Sequence, residues 1–298
     1  MYTAGPSFTF VSSYQAITGA GCHPVSCDID LETLTLDLKD AEHRITPRTT
    51  AMMPVYYGSN CRMAEQYQAF AREHGLRCIE DAAHAFGCKC GDRKIGSFGD
   101  VVCFSFDGIK NITSGEGGAV FTANEDTIQK VSDARLLGVQ KDSEKRYAGQ
   151  RSWVFDVVDQ GYRYHMSNIF AAIGKVQLTR FEPEFAPARR RIALEYTRRL
   201  KDNPDVKLIE MDYANEIVPH IFPLEILHSK REKLEQLFKE REIQYGVQYR
   251  PNHQLSYFKA DYHLPVTEDV YQKVISIPMH PELTEDDITL ICDTINSL

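Results

Sequence analysis

No stretch of the 298-residue chain approaches the roughly 18 to 20 apolar residues of a membrane-spanning helix. The first residues also lack the basic-then-hydrophobic pattern of a secretory leader. The expected location is therefore cytoplasmic, with no membrane partner. Positive charge is scarce as well: 34 Lys and Arg against 42 Asp and Glu leave a formal charge of -8. Tracking a phosphate backbone requires a basic face, so no nucleic-acid partner is expected, whereas a small ligand needs only a local cationic pocket. Paired metal-ligand spacing is missing too. Cys88 and Cys90 form a C-x-C near His84, but no second pair follows at the spacing zinc sites use. The expectation there is no metal, and a hairpin beside Gly91-Asp92. The other six cysteines are scattered and read as buried thiols. Neither an internal repeat nor a low-complexity tract is present.

What remains is a chain long enough for two domains. Its first half alternates short apolar runs with helical patterns, the signature of a mainly parallel sheet covered on both faces. Strands are predicted at residues 24–28, 50–56, 76–80, 101–106 and 119–122. Between the second and third, Met63, Tyr67, Phe70 and Ala71 recur at helical spacing, and Gly75 sits where a left-handed C-terminal residue belongs. Residues 141–160 turn polar and read as a loop, and Ser167 is a suitable N-cap for a helix over 168–178. The arginine-rich stretch 189–200 is interrupted by Leu194, Tyr196 and Leu200, which suits a solvated amphipathic helix bridging two domains. Beyond it, strand-like residues 206–209, 218–224 and 243–249 interleave with helical 230–241 and 285–295. The division expected is a large domain over 1–182 and, over 183–298, the bridging helix with a smaller α+β domain.

Chemistry concentrates at two strand ends. Leu76 to Glu80 reads as a buried strand followed by Asp81, two alanines and His84. Phe104-Ser-Phe-Asp-Gly-Ile-Lys110 delivers one lysine from an apolar strand end into the glycine-rich turn that closes at Gly118. Taken alone, Lys110 reads as a solvated surface amine, and Asp81 as a helix N-cap. Together, on neighbouring strands, they are the two groups pyridoxal phosphate (PLP) needs: an amine for the Schiff base and a carboxylate that keeps the pyridine nitrogen protonated. In open sheets ligands gather beyond the carboxyl ends of the strands, which puts both residues on one rim.

The runs Glu80-Asp-Ala-Ala-His84, Gly96-Ser-Phe-Gly-Asp100, Phe104-Ser-Phe106 and Lys110-Asn-Ile-Thr-Ser-Gly-Glu-Gly-Gly118 resemble, in this order, the DegT/DnrJ/StrS family of PLP-dependent nucleotide-sugar aminotransferases. So do Pro6 to Phe10, Ile45 to Thr49, Gly161 to Ser167 and Ile275 to Thr284, so the likeness spans nearly the whole chain. It implies an α/β protein whose large domain is aspartate-aminotransferase-like (fold type I), with a smaller α+β C-terminal domain. It also implies transamination of a nucleotide-linked keto-deoxy-sugar with glutamate as donor, the cofactor alternating between PLP and pyridoxamine phosphate. Lys110 would carry PLP and Asp81 face the pyridine nitrogen. His84 would lie near the ring's 3′ oxygen, Ser105 contact the phosphate, and Phe10 either stack on the ring or serve as a core strand residue. Arg163 would reach the phosphate of a neighbouring subunit, which makes a homodimer with shared sites. Tyr249 and His253 would face the substrate, with Asn252 standing where leucine is usual. Relatives carry, ahead of the Pro6–Phe10 stretch, a block whose amide-lined turn binds the PLP phosphate. A shortened chain, and with it a truncated, non-catalytic paralogue acting as a dimerising partner subunit, is the alternative expectation.

Overall fold

The computed structural model describes residues 1–140 and 155–298. Eight strands build its first part: β1 (Tyr2–Pro6), β2 (His23–Cys27), β3 (Thr49–Met52), β4 (Arg77–Asp81), the short hairpin β5 (Lys89–Cys90) and β6 (Arg93–Lys94), β7 (Val101–Ser105) and β8 (Gly118–Phe121). The main sheet runs β2-β1-β3-β4-β7-β8. Its first five strands are mutually parallel and β8 closes the edge antiparallel to β7. Helices α1 (Val11–Gly19), α2 (Leu38–Arg44), α3 (Ala64–Glu73) and α4 (Glu125–Ala134) connect or flank these strands. Helix α3 buries Tyr67, Phe70 and Ala71, and Gly75 just beyond it has φ 65, so the βαβ reading of this region holds.

The sheet belongs to an α/β architecture: the parallel crossovers from β1 to β2, β2 to β3 and β3 to β4 carry α1, α2 and α3 back over the apolar strands, while β4 reaches β7 through the β5–β6 hairpin. Strand β3 ends at Met52, short of the predicted 50–56. Pro54 has no N–H to give a ladder, and its carbonyl instead accepts from Asp81 N at 2.9 Å. After Lys110 the chain must reverse at once to pair β8 with β7. Gly117 (φ 142) permits the reversal, and a Cβ at Gly118 would fall 2.6 Å from the Phe104 carbonyl oxygen. The hairpin at Cys90 forms as expected, with Cys90 opposite Arg93.

Helix α5 (Asn168–Arg180) starts at Ser167, whose Oγ accepts from Phe170 N at 3.2 Å. None of its residues is buried, although Ile169, Phe170, Ile173, Val176 and Leu178 line it. A π-helical turn at Phe181–Phe185 leads into α6 (Ala186–Leu200). Helix α6 is amphipathic: Ile192, Ala193, Tyr196 and Leu200 are buried, and so is Arg189, which donates through Nη1 to the carbonyls of Pro219, His220 and Met279. A second, antiparallel sheet of β9 (Val206–Leu208), β10 (Phe222–Ile226) and β11 (Val274–Ile277) follows in the order β11-β10-β9. It is accompanied by α7 (Arg231–Glu240), α8 (Pro265–Lys273) and α9 (Glu285–Asn296). The predicted strand over 243–249 is not there. Gly246 alone bridges to Ser276, and the following residues turn away to cover the rim of the main sheet. One apolar cluster runs from Ala4 to Ile295 and unites both sheets.

Candidate active site

The carboxyl ends of β1, β3, β4 and β7 open into one cleft of about 520 Å³. Thr9, Phe10 and Ser12 follow β1, Val55 follows β3, Asp81, Ala83 and His84 close β4, and Ser105, Asp107, Ile109 and Lys110 leave β7. Gln248 and Tyr249 reach over from the C-terminal part to complete the wall.

Asp81 is the last residue of β4, and alternation along the strand separates it from Glu80. Glu80 is buried in the sheet's far side, while Asp81 lines the cleft. No helix follows Asp81, so it is not a helix cap. Its carboxylate accepts from Ser13 Oγ at 2.7 Å and from Ala83 N at 3.1 Å. These two donors fix its direction. Ser13 is itself within 3.0 Å of Thr9 Oγ1.

Lys110 Nζ makes no ion pair or hydrogen bond among the described residues. Partial burial pulls its pKa below the ordinary lysine value, and the negative charges of Asp107 and Asp81 oppose that only in part. The residue after it anchors the loop: Asn111 is buried and its Nδ2 donates to the carbonyls of Phe86 at 3.1 Å and Val218 at 3.0 Å. His84 is buried beside the amine. Burial first, and Lys110 second, push its imidazole down to about 3, so it is neutral. Its Nε2 lies 3.2 Å from the Tyr249 hydroxyl, and its Nδ1 has no partner among the described residues. Burial raises the Tyr249 phenol, so it stays protonated.

Ser105 lines the same cleft at the end of β7, its Oγ accepting from Asp107 N at 3.3 Å. Phe10 is not a core strand residue. Strand β1 ends at Pro6, and Phe10 stands at the start of α1, 55% exposed, its ring 5.6 Å from that of Tyr249. Phe8, two residues earlier, is fully buried.

Two of the sequence-predicted residues lie elsewhere. His253 does not face the cleft: it is 3% exposed, its Nδ1 2.7 Å from Ser7 Oγ and its Nε2 3.0 Å from Glu268. Both ring nitrogens are taken, so its expected substrate contact is corrected to a packing role. Arg163 is exposed and does not line its own chain's cleft. Its backbone pairs with Leu136.

Sequence reasoning missed Ser13, the anchoring part of Asn111, and Asn252. The last, fully buried, donates through Nδ2 to the carbonyls of Ser7 at 3.1 Å and Thr9 at 2.7 Å, clamping the segment that carries Phe10. A short polar side chain where an apolar one is usual was the available signal.

The model of the DegT/DnrJ/EryC1/StrS aminotransferase family matches residues 4–296. The chain belongs to this family. It is 34% identical to an uncharacterized protein of Methanocaldococcus jannaschii, over 98% of this chain and 78% of that one. It is 32% identical to the dTDP-4-dehydro-2,3,6-trideoxy-D-glucose 4-aminotransferase of Saccharopolyspora spinosa, over 97% and 75%. Among solved structures, DesV of S. venezuelae in complex with a ketimine intermediate superposes with a TM-score of 0.88 at 26% identity, covering 99% of this chain and 77% of that one. This member of the family is a PLP-dependent sugar aminotransferase of fold type I. Its residues fit the cofactor. An unpaired, partly desolvated lysine amine and a carboxylate held by two donors face one cavity, with a serine hydroxyl at the adjoining strand end.

Proposed function

We propose that the chain transfers an amino group from glutamate to a nucleotide-linked keto-deoxy-sugar, for the biosynthesis of amino sugars. The observation that carries this reading is the pairing, on one rim of a sugar aminotransferase fold, of the unpartnered Lys110 amine with the doubly anchored Asp81. The relative from Saccharopolyspora spinosa, whose name describes a 4-dehydro-trideoxy-sugar, supports the acceptor class.

PLP, when bound, supplies an electron sink for the substrate carbon. The rest is the work of this chain's residues. Lys110 would hold the cofactor through its amine and would carry the proton to and from the substrate carbon. Burial readies it by favouring the uncharged amine. Asp81 holds the proton of the ring nitrogen. His84, neutral and bonded to Tyr249, offers a hydrogen bond beside the ring without adding charge. Ser105 contacts the phosphate, and Phe10 with Tyr249 covers the cleft and limits water.

The functional unit is a homodimer in which Arg163 serves the partner's cleft. Arg163 is exposed and outside its own cleft, and nearby α5 shows five apolar side chains with none of its residues buried. Exposed apolar side chains concentrated on one helix in this way mark an association surface.

Incubation with PLP followed by borohydride reduction tests the site. One labelled peptide containing Lys110 is expected, and a label on another lysine would overturn the assignment. Mixing the PLP form with glutamate in a single turnover then tests the donor. The cofactor's absorbance should convert to that of pyridoxamine phosphate, and conversion by another amino acid but not by glutamate would refute that part.

A further inference from the structure

A second cavity, of about 480 Å³, opens in the C-terminal part between β11, residues 241–248 and α9. Buried aliphatic side chains, Ile243, Ile277, Leu283 and Ile291, line it together with the exposed Arg241, Glu242, Gln244, His280 and Asp287. His220 Nδ1, Gln248 Oε1 and Ser276 Oγ all belong to residues lining this cavity, and each is buried without a hydrogen-bond partner among the described residues. His220 and Ser276 are only 5% and 4% exposed. Since about nine in ten buried polar atoms are satisfied, three unmet ones around one cavity are a hydrogen-bonding set waiting for a ligand.

No charged side chain of the lining is buried. His220 is kept uncharged by burial and by the neighbouring His84, Lys110 and Arg189. The charged residues of the lining, Arg241, Glu242 and Asp287, are of both signs and all exposed; Arg241 donates to Thr294 Oγ1, and Asp287 caps α9 through Thr284. Gln248 Oε1 can only accept, so the occupant must bring a donor, and a hydroxyl serves all three atoms. The cavity is also far larger than the roughly 30 Å³ of one water. It shares Ile109 and Gln248 with the Lys110 cleft, and the His220 ring lies 4.4 Å from His84.

We propose that this cavity is a ligand subsite, continuous with the Lys110 cleft, that takes an uncharged ring carrying two or more hydroxyl groups. It deepens the sugar-aminotransferase reading and rests on it, giving the substrate a second foothold away from its reacting carbonyl.

Methyl β-D-fucopyranoside, a neutral 6-deoxy ring with no carbonyl to react, is the probe. It is titrated into the PLP-loaded protein, followed by ligand-observed NMR. Saturable binding near 1 mM is expected, about the ceiling for a group of this size. Leu290→Trp places an indole at the rim, where Leu290 is 45% exposed, and should weaken binding about tenfold or more. Ser276→Ala removes one partner and should weaken it about threefold to tenfold. Cofactor absorbance should be unchanged in both. No saturation by about 50 mM, far above the expected affinity, or equal affinity in all three proteins, overturns the proposal. So does a crystal soak showing only water at His220 Nδ1. Borohydride labelling of Lys110 in the same samples reports on the cleft alone, so loss of the label and loss of pyranoside binding identify which of the two readings has failed.

Discussion

Replacing Glu80 by glutamine should make the protein's stability less dependent on pH, and the size of the change follows from where Glu80 sits. Its side chain is fully buried between β4 and α3, accepting from the Tyr56 hydroxyl and from Gln68 Nε2. Burial pushes its carboxyl up to about 7 from an ordinary 4.5, against the opposing pull of those two donors. A folded-state value above the unfolded one means that the native state binds the extra proton. The contribution is therefore present below pH 4.5 and lost as pH rises through 7. Between pH 5 and pH 8 those two values give a loss of about 2.5 kcal/mol. The buried, neutral His84 and His220 act with the opposite sign at low pH, their stability being lost as pH falls. The wild type must therefore be compared with Glu80→Gln rather than with itself. Urea unfolding of both proteins with saturating PLP, at pH 5, 6.5 and 8, gives the difference directly. The amide donates where the carboxylate accepted, and this adds a constant offset. The expected signature is a wild-type advantage that shrinks by about 2.5 kcal/mol across the series. A difference constant to within about 0.5 kcal/mol, the scatter of such comparisons, would refute the claim that Glu80 holds its proton in the folded state.

Three further outcomes are expected. Asp81→Asn should still fold and accept PLP, but its single-turnover rate with glutamate should fall roughly a hundredfold or more, since a few kcal/mol separate a protonated from an unprotonated ring nitrogen; unchanged kinetics would contradict the role. Asn252→Ala strips two buried hydrogen bonds from the Ser7 and Thr9 carbonyls, so a loss of about 2 kcal/mol or more and weaker PLP binding should appear together. Stability and affinity both at wild-type level would show that the clamp is idle. Mixing an inactive Arg163→Ala protein with an inactive Lys110→Ala protein should restore part of the activity, because one hybrid cleft would hold both intact residues. If the mixture stays dead while subunit exchange is demonstrated, the cross-subunit role fails.

Much of the main sheet could be read from the chain, because parallel strands buried on both faces appear as continuous apolar runs and the intervening helix kept its period. That Lys110 and Asp81 share one rim was legible for the same reason: each follows or ends such a run, and topology then brings strand ends together. What escaped depended on partners distant in sequence. His253 and Asn252 are neighbours in the chain, yet both are drawn to the Ser7–Thr9 segment nearly 250 residues away, and no local pattern encodes that attraction. Phe8 and Phe10 obey a strand's alternation only while the chain remains a strand, and β1 ends at Pro6. The segment 243–249 carries strand-like residues but has a single bridge to Ser276, so tertiary context overrode its propensity.

Asn111 ties the active-site lysine to the rest of the molecule in a way that makes the cofactor a gauge. One amide nitrogen grips the Phe86 carbonyl, in the segment that leaves Asp81, and the Val218 carbonyl, in the approach to β10. A rocking of the C-terminal sheet against the main sheet would have to break the second bond or drag the loop that carries Lys110. With PLP on Lys110, as proposed, the chromophore would register either event, so its colour would report movement of one sheet against the other, readable without any added label.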